Sequence, residues 1–332
     1  MKIVVLDGFA ANPGDLSWEG LKALGECTIY DRTAPEEVLE RAAGAEVILT
    51  NKVIINADHM AALPELKYIG VLATGYNVVD TAAAKERGII VTNIPAYSTA
   101  SVAQMVFAHI LNICQQVQHH SEEVHKGRWT NNKDFCFWDT PLIELRDKKI
   151  GLVGLGNTGY TTARVAIGFG MQVYALTSKS HFQLPPEIKK MDLDQLFSEC
   201  DIISLHCPLT AETHHIINAD TIKMMRDNAI LVNTSRGGLI DTNALIDALR
   251  DRKFAGVGLD VYEDEDGQVF EDFSDDVLQN EVVPILMSFP NVVVTSHQAF
   301  FTRTALQSIA ITTMENARAF ARGEKLVNEV KG

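Results

Sequence analysis

The sequence contains no apolar run long enough to cross a membrane, and it is poor in positive charge. Its opening stretch, "MKIVVLDGF", has only a short apolar run before Asp7, which is too short for a signal peptide. The chain carries 29 lysine and arginine residues against 43 aspartate and glutamate residues, a formal net charge of −14. This balance argues against nucleic acid or a membrane surface as a partner. We therefore expect a cytoplasmic protein that binds any anionic substrate through a few local cations.

Cysteine is also scarce, and its spacing excludes the usual cysteine-based sites. The five cysteines are odd in number and form no C-x-x-C pair, which favours structural thiols in a reducing compartment. The doublets His119–His120 and His214–His215 have no partner at ligand spacing along the sequence, so we predict no metal site.

Short apolar runs alternate with helical patterns over the first hundred residues. The strand candidates are "KIVVLD", "AEVILTN", "YIGVLATG" and "GIIVTN", with helix-like segments such as "TAPEEVLERAAG" and "NADHMAALPELK" between them. We predict a long helix over about residues 101–125, after which the strand pattern restarts. The second series is "KKIGLVGLG", "MQVYAL", "CDIISLH", "NAILVNTS", "AGVGLDV" and "NVVVTS".

This alternation predicts an α/β fold with two doubly wound parallel sheets. The continuous apolar runs suit strands that are buried on both faces. A length of 332 residues is too long for one small core and favours two domains. A final helix is predicted over residues 302–323, and the sequence leaves open which domain it packs on.

The stretch "GLVGLGNTG" carries Gly154, Gly156 and Gly159 in G-x-G-x-x-G spacing. The motif alone is weak, but here it follows an apolar strand and opens a helix. The first glycine permits a tight turn, the second lets the backbone approach a pyrophosphate, and the third allows close packing of helix on strand. The free N–H groups of the helix start favour an anion. We predict a dinucleotide site.

The next strand ends in "YALTSKS", where an acidic residue usually binds the adenosine ribose. Thr177 takes that position, and Ser178 and Lys179 follow it. Two hydroxyls and a cation suit a 2′-phosphate better than a bare diol. We therefore expect NADP(H) to be preferred, with NAD(H) possible.

Three residues that could carry chemistry follow predicted strands: Arg236, Glu265 and His297. Each alone is commonly a surface or hydrogen-bonded residue. Together they suit ketone reduction, because an arginine can pair with a carboxylate and polarise the adjacent carbonyl. A histidine can deliver the proton as hydride arrives, and a neighbouring carboxylate favours its imidazolium form.

The stretches "GLVGLGNTG", "HCPLTAET", "NTSRGGLIDTNALIDAL", "GVGLDVYEDE" and "TSHQAFFT" resemble the D-isomer-specific 2-hydroxyacid dehydrogenase family over essentially the whole chain. The resemblance implies a flavodoxin-like substrate domain of residues 1–100 plus 298–332, with a Rossmann domain of residues 101–297 inserted into it. It implies Arg236 as substrate binder, His297 as acid/base and Glu265 as its partner. It also implies a homodimer.

Further site residues are implied only by this resemblance. The stretch "ATGYN" matches the substrate loop, in which backbone N–H groups of Thr74 and Gly75 would hold the carboxylate. Tyr97 and Phe300 would line the substrate pocket. Beyond the glycines and the "TSK" stretch, the implied cofactor contacts are Asn157, Thr158, Cys207, Pro208, Thr213, Thr234 and Asp260.

The substrate signals conflict. "HQAFFT" and the acidic insert "DGQVFEDFSDD" after Glu265, which replaces the common proline, resemble D-lactate dehydrogenases. "TNKVI", "VLATGYNVVD" and "GRWTNNKDFCFWDTPLIEL" resemble glycerate dehydrogenases, which reduce hydroxypyruvate, and they span more sequence. We therefore expect hydroxypyruvate/D-glycerate, with D-lactate dehydrogenase as the alternative. The fold also serves in dinucleotide-sensing corepressors, which is the alternative of a different class.

The stretch "DFCFWD" clusters Phe135, Phe137 and Trp138 in otherwise polar sequence. Aromatic anchors of this kind are enriched in interfaces, although a local loop core is the simpler interpretation. We predict that these aromatics lie in the dimer interface. By resemblance to glycerate dehydrogenases, Trp138 would reach the partner's active site.

Overall fold

The computed structural model describes residues 1–14, 16–263, 265 and 282–331. The chain divides into two compact units, Met1–Ser98 with Phe301–Gly332, and Thr99–Phe300. The acidic insert that follows Glu265 lies outside the described residues. Within the described part of the chain, no helix has both the length and the apolar character needed to span a membrane.

The first unit is built on a parallel five-stranded sheet with the order β2-β1-β3-β4-β5. This is the flavodoxin-like order, in which the chain winds first to one side of the opening strand and then to the other. The three central strands are almost fully buried, as their unbroken apolar runs require. The strands are β1 (Lys2–Val5), β2 (Glu26–Ile29), β3 (Val47–Thr50), β4 (Tyr68–Val71) and β5 (Ile90–Thr92).

Short helices connect these strands. Asn56 caps one of them by accepting a hydrogen bond from the backbone N–H of His59, at 2.9 Å. The helices of the first unit before Ser98 are α1 (Glu19–Lys22), α2 (Val38–Arg41), α3 (Ala57–Ala62) and α4 (Thr81–Glu86), with 3₁₀ turns at Gly8–Ala10 and Pro35–Glu37.

The predicted terminal helix is confirmed and packs on the first unit. It is α12 (Arg303–Ala321), and the hydroxyl of Thr302 caps it by accepting from the N–H of Ala305. Gly323 follows with φ of +64°, the left-handed conformation that favours glycine just past a helix end. Phe320 stacks on Tyr68 of β4 with ring centroids 4.8 Å apart.

The second unit contains a parallel seven-stranded sheet with the order β12-β11-β10-β9-β6-β7-β8. Six of these strands reproduce the Rossmann order, and β12 extends the sheet at one edge. The strands are β6 (Lys149–Val153), β7 (Gln172–Leu176), β8 (Ile188–Lys190), β9 (Ile202–Leu205), β10 (Ala229–Asn233), β11 (Phe254–Leu259) and β12 (Val292–Val294).

The prediction of one long helix over residues 101–125 is wrong in its continuity. Gln116 takes a left-handed conformation with φ of 46°, which ends one helix and redirects the chain into the next. The helices of this unit are α5 (Thr99–Gln115), α6 (Val117–His125), α7 (Asn157–Gly168), α8 (Leu193–Glu199), α9 (Ala219–Met224), α10 (Thr242–Arg250) and α11 (Val282–Ser288), with 3₁₀ turns at His181–Gln183 and Gly237–Leu239.

All five cysteines are free thiols, as the sequence predicts. Burial raises the pKa of Cys114 to about 11 and that of Cys200 to about 12. These thiols are therefore protonated at neutral pH, as expected of buried structural cysteines.

Candidate active site

The predicted cofactor and catalytic residues of the second unit all follow the carboxyl ends of its strands. The loops after β6, β7, β9, β10, β11 and β12 carry them. Because parallel strands end at one edge of the sheet, these loops share that edge.

The glycine-rich turn between β6 and α7 has the geometry that its spacing predicts. Gly154 has φ of +101°, and an added Cβ would lie 2.8 Å from the backbone N of Cys207. A Cβ on Gly159 would lie 2.3 Å from the carbonyl oxygen of Gly154. A Cβ on Gly156 would meet no described atom within 4 Å, so its backbone is open to a ligand. Helix α7 begins directly after it, and its first N–H groups lack intrahelical acceptors.

The loop after β7 brings a cation to this turn. Lys179 Nζ donates to the carbonyl oxygen of Leu155, between the first two glycines, at 2.8 Å. The Lys179 backbone N–H donates to Thr177 Oγ1 at 3.2 Å, while Ser178 is exposed. Lys190, at the end of β8, donates from Nζ to the carbonyl oxygen of Lys179 at 2.8 Å. Sequence reasoning missed this second lysine, because β8 itself was not predicted.

The loop after β9 is held by hydrogen bonds within itself and to the loop after β10. Thr213 Oγ1 donates to the carbonyl oxygen of Pro208 at 2.6 Å, and Ser235 Oγ donates to that of Cys207 at 2.8 Å. Thr234 is buried, and its hydroxyl has no hydrogen-bond partner among the described residues.

These features fit a dinucleotide. An open glycine backbone at a helix start is suited to a pyrophosphate, and an unpartnered buried hydroxyl at the same sheet edge calls for a polar ligand. The residues predicted from the sequence to contact the cofactor are the three glycines, Asn157, Thr158, Thr177, Ser178, Lys179, Cys207, Pro208, Thr213, Thr234 and Asp260.

Asp260 is almost fully buried, and its carboxylate organises the loop after β12. It accepts hydrogen bonds from Thr295 Oγ1 at 2.6 Å and from the N–H groups of Gln298 and Ala299 at 3.0 and 2.9 Å. Its carbonyl oxygen accepts from the N–H of His297 at 2.7 Å. The sequence suggested only a cofactor contact for Asp260, and this supporting role was missed.

His297 and Glu265 form a direct pair. His297 Nδ1 lies 2.9 Å from Glu265 Oε1, with the two side chains 31% and 13% exposed. His297 has φ of +51°, a left-handed backbone that the hydrogen bond from its N–H to the Asp260 carbonyl oxygen stabilises. The ring of Phe300 stands edge-on to the imidazole, with centroids 6.5 Å apart.

Arg236 is exposed, and its backbone is fixed by Asn233, whose Nδ2 donates to the Arg236 carbonyl oxygen at 2.8 Å. Its guanidinium donates to the carbonyl oxygen of Ser235 at 2.7 Å. No described carboxylate pairs with this guanidinium. Most of its donors therefore remain for a ligand.

Three predicted substrate residues belong to the first unit. Thr74 and Gly75 follow β4, and Tyr97 follows β5. Thr74 Oγ1 donates to the carbonyl oxygen of Ile94 at 2.8 Å, and Asn93 Nδ2 donates to the Thr74 carbonyl oxygen at 2.7 Å. These bonds fix the loop and leave the backbone N–H groups of Thr74 and Gly75 without a described acceptor.

The doublet His214–His215 has a neighbour that sequence spacing could not reveal. Glu263, 48 positions after His215, places Oε1 2.5 Å from His215 Nε2. The doublet has no partner at ligand spacing along the sequence, and the fold brings Glu263 beside it. The possible ligand atoms of the two histidines and Glu263 all lie within 4.8 Å of one another.

Comparison with known proteins identifies the family. Residues 107–299, more than half of the chain, match the family described as D-isomer specific 2-hydroxyacid dehydrogenase, NAD binding domain. The chain belongs to this family. The family assignment, the two-sheet fold and the oxidoreductase class predicted from the sequence are thereby confirmed.

Members of this family named for different substrates resemble the chain. A hydroxypyruvate reductase of Blautia hydrogenotrophica is 49% identical over 269 residues, which cover 80% of this chain and 84% of that protein. A glycerate dehydrogenase of Methylorubrum extorquens is 36% identical over 299 residues and 89% of each chain. The crystal structure of D-lactate dehydrogenase from Aquifex aeolicus complexed with NAD and lactic acid has a TM-score of 0.83 at 30% identity, covering 100% of this chain and 99% of that one.

Proposed function

We propose that this dehydrogenase interconverts hydroxypyruvate and D-glycerate. The observation that carries the chemistry is the His297–Glu265 pair at 2.9 Å, on the sheet edge that also presents an arginine without a described carboxylate partner. The choice of hydroxypyruvate is supported by the Blautia hydrogenotrophica relative named for that substrate, with 49% identity.

Arg236 is proposed to bind the substrate. Its planar fork can hold the carboxylate of a 2-keto acid with two hydrogen bonds and direct a further donor at the keto oxygen. Withdrawal of electron density from the carbonyl then favours attack at C2.

His297 is proposed to act as the acid in reduction and the base in oxidation. Glu265 bonds Nδ1, so Nε2 remains to deliver a proton to the keto oxygen as it becomes a hydroxyl. The adjacent carboxylate favours the charged imidazolium before transfer and fixes the ring orientation. The nicotinamide, when bound, supplies or accepts the hydride.

The cofactor is proposed to be NADP(H) by preference, with NAD(H) as the second choice. The support is the absence of a carboxylate at Thr177 and the ammonium of Lys179 beside the glycine-rich turn. Lys190 adds a second cation near the same loop. A carboxylate at position 177 would repel a 2′-phosphate, whereas these groups attract one.

The substrate pocket is proposed from the family resemblance. Thr74 and Gly75 would bind the substrate carboxylate through the backbone N–H groups that have no described acceptor. Tyr97 and Phe300 would limit the side chain to a small one. The assignment of Phe300 to the substrate pocket is supported by the edge-on contact of its ring with the imidazole of His297.

A substrate panel tests the proposal. Hydroxypyruvate, pyruvate, glyoxylate and a branched 2-keto acid are assayed with NADPH and with NADH, and His297→Ala serves as the inactive control. We expect the highest kcat/KM for hydroxypyruvate. A higher value for pyruvate would identify a D-lactate dehydrogenase. Tight cofactor binding without turnover of any acid would favour a dinucleotide-sensing binding protein.

A further inference from the structure

Glu263 lies two positions before Glu265, yet the proposed mechanism makes no use of it. Its Oε1 is 2.5 Å from His215 Nε2, and its Oε2 accepts from the N–H and the hydroxyl of Thr242 at 3.2 and 3.0 Å. Both carboxylate oxygens are therefore engaged by protein groups. The side chain is 24% exposed.

The partners of Glu263 come from two other loops at the same sheet edge. His215 follows Thr213 in the loop after β9, and Thr242 opens α10 directly after the segment that carries Arg236. Glu263 itself belongs to the segment between β11 and Glu265, and its carboxylate contacts both His215 and Thr242. The Glu263 side chain therefore connects the loop that carries Glu265 to the segment that carries Arg236 and to the loop after β9.

The backbones of these loops are also in close contact. An added Cβ on Gly237 would lie 1.9 Å from the carbonyl oxygen of Tyr262, so only glycine fits beside Arg236 there. His215, in a left-handed conformation with φ of 50°, donates its N–H to the carbonyl oxygen of Gly238 at 2.9 Å. A carboxylate inserted at this junction fixes the separation of the three segments.

We propose that Glu263 is a positioning residue that holds Glu265 against His297. This inference rests on the proposed function, because it acts through the proposed catalytic groups. Fixing the segment two residues before Glu265 restricts where that carboxylate can lie, and small misplacements of catalytic groups are costly.

The electrostatics of this site agree with an ionised Glu263 that accepts hydrogen bonds from His215 and Thr242. Burial raises the pKa of the Glu263 carboxyl, but hydrogen bonds from His215 and Thr242 outweigh this effect and the net shift is downward. The carboxylate is therefore ionised at neutral pH and can accept from both partners.

A metal ion is the competing interpretation of His214, His215 and Glu263. The rings of the two histidines stack with centroids 3.9 Å apart and an interplanar angle of 27°. Nitrogen lone pairs lie in the ring planes, so near-parallel stacked rings do not direct them to a common point. Thr242 also occupies the second oxygen of Glu263. The geometry therefore favours hydrogen bonding of Glu263 to His215 and Thr242 over metal binding.

The test compares Glu263→Gln with Glu187→Gln, which removes the same charge from an exposed residue outside the site. On whichever 2-keto acid the wild type reduces, Glu263→Gln is expected to lower kcat about tenfold or more, and Glu187→Gln to leave it unchanged. The alkaline limb of the pH–rate profile should move to lower pH, because Glu265 would no longer support the protonated imidazole. A fold-level defect would reduce the amount of active enzyme without moving that limb.

A double-mutant cycle with Glu265→Gln completes the test. If Glu263 acts through Glu265, it should have little further effect on kcat once Glu265→Gln is present. Additive losses, or an unmoved pH profile, would overturn the proposal. The proposal would also be overturned if Zn²⁺ activated the wild type and EDTA removed its activity, because that result would indicate a metal site. Failure of the wild type to reduce any 2-keto acid would refute the proposed function instead.

Discussion

His297 Nδ1 lies 2.9 Å from Glu265 Oε1, although the two residues belong to loops that follow different strands. The bond assigns one nitrogen of the imidazole to the protein and leaves the other for chemistry. Glu265 is the more buried of the two, so its carboxylate is shielded from competing water. Such a pair is suited to proton transfer to or from a bound substrate.

The first prediction concerns this pair. His297→Ala should lower kcat by roughly 10²–10⁴-fold, because positioned proton transfer contributes that much. Glu265→Gln should lower it less, since the imidazole remains. Stopped-flow turnover and fluorescence titration of the cofactor measure the two effects, and cofactor affinity should stay within about twofold of the wild type. His125→Ala, at an exposed helical position, is the control. Unchanged kcat in His297→Ala would remove that residue from the mechanism.

Arg236→Lys should fail to restore activity. An ammonium keeps the charge but cannot reproduce the bidentate fork, so KM should rise and kcat should fall together. Steady-state kinetics measure both, with Arg250→Lys in a surface ion pair as the control. A rise in KM alone would reduce Arg236 to substrate binding without a part in catalysis.

The strands and the site differ in how far the sequence predicts them. The buried central strands carry unbroken apolar runs, and all of them were predicted. The edge strands β2 and β8 are short and partly polar, with sequences "ECTI" and "IKK", and they give no such signal. The break at Gln116 was missed for a related reason, because neither glycine nor proline marks it.

The proposed catalytic residues were accessible from sequence because each lies in the loop that follows a strand. The residue pairs that form between different loops could not be predicted from the sequence. Glu263 and His215 are 48 positions apart, and only the sheet order brings them together. The bonds from Asp260 to the His297 loop are equally nonlocal, since they depend on a backbone path that no periodicity encodes.

Stability should fall as the pH drops below 6.5 because of His206. Burial lowers the pKa of its imidazole from 6.5 to about 4, so the folded protein keeps it neutral while the unfolded chain binds a proton. Its contribution is complete above pH 6.5 and is lost as the pH falls towards 4. At about 1.36 kcal/mol per pKa unit, the loss is about 3.4 kcal/mol at most. Urea midpoints at pH 7.5 and 5 should separate less in His206→Gln than in the wild type, and equal separations would contradict the prediction.

The aromatic stretch is predicted to form a homodimer interface. Phe135 is 90% exposed and Trp138 is 62% exposed, so a local loop core does not cover them. Their segment is held by Arg128, whose guanidinium bonds Asp139 and lies 4.5 Å from the Phe137 ring centroid. Phe135→Ser combined with Trp138→Ser should shift the protein towards monomer in light scattering. The matched control is Phe182→Ser, a fully exposed aromatic elsewhere. A dimer that persists unchanged in the double variant, or a fully active monomer, would contradict this role.

The final prediction concerns cofactor choice at "YALTSKS". Thr177 offers the ribose 2′-hydroxyl only a weak acceptor, so NADH lacks the anchor that a carboxylate would give. A 2′-phosphate would meet two hydroxyls and Lys179, whose ammonium already lies beside the glycine-rich turn. A charge-assisted contact contributes roughly 1.5–3 kcal/mol, or about tenfold or more in affinity. We expect kcat/KM to favour NADPH, and the preference to shrink in Lys179→Ala and at higher salt, because screening weakens exposed charges. Lys189→Ala removes the same charge from a neighbouring exposed lysine and should retain the preference. A preference for NADH in the wild type would refute this interpretation of the stretch, and equal losses in the two lysine variants would attribute the preference to overall charge instead of Lys179.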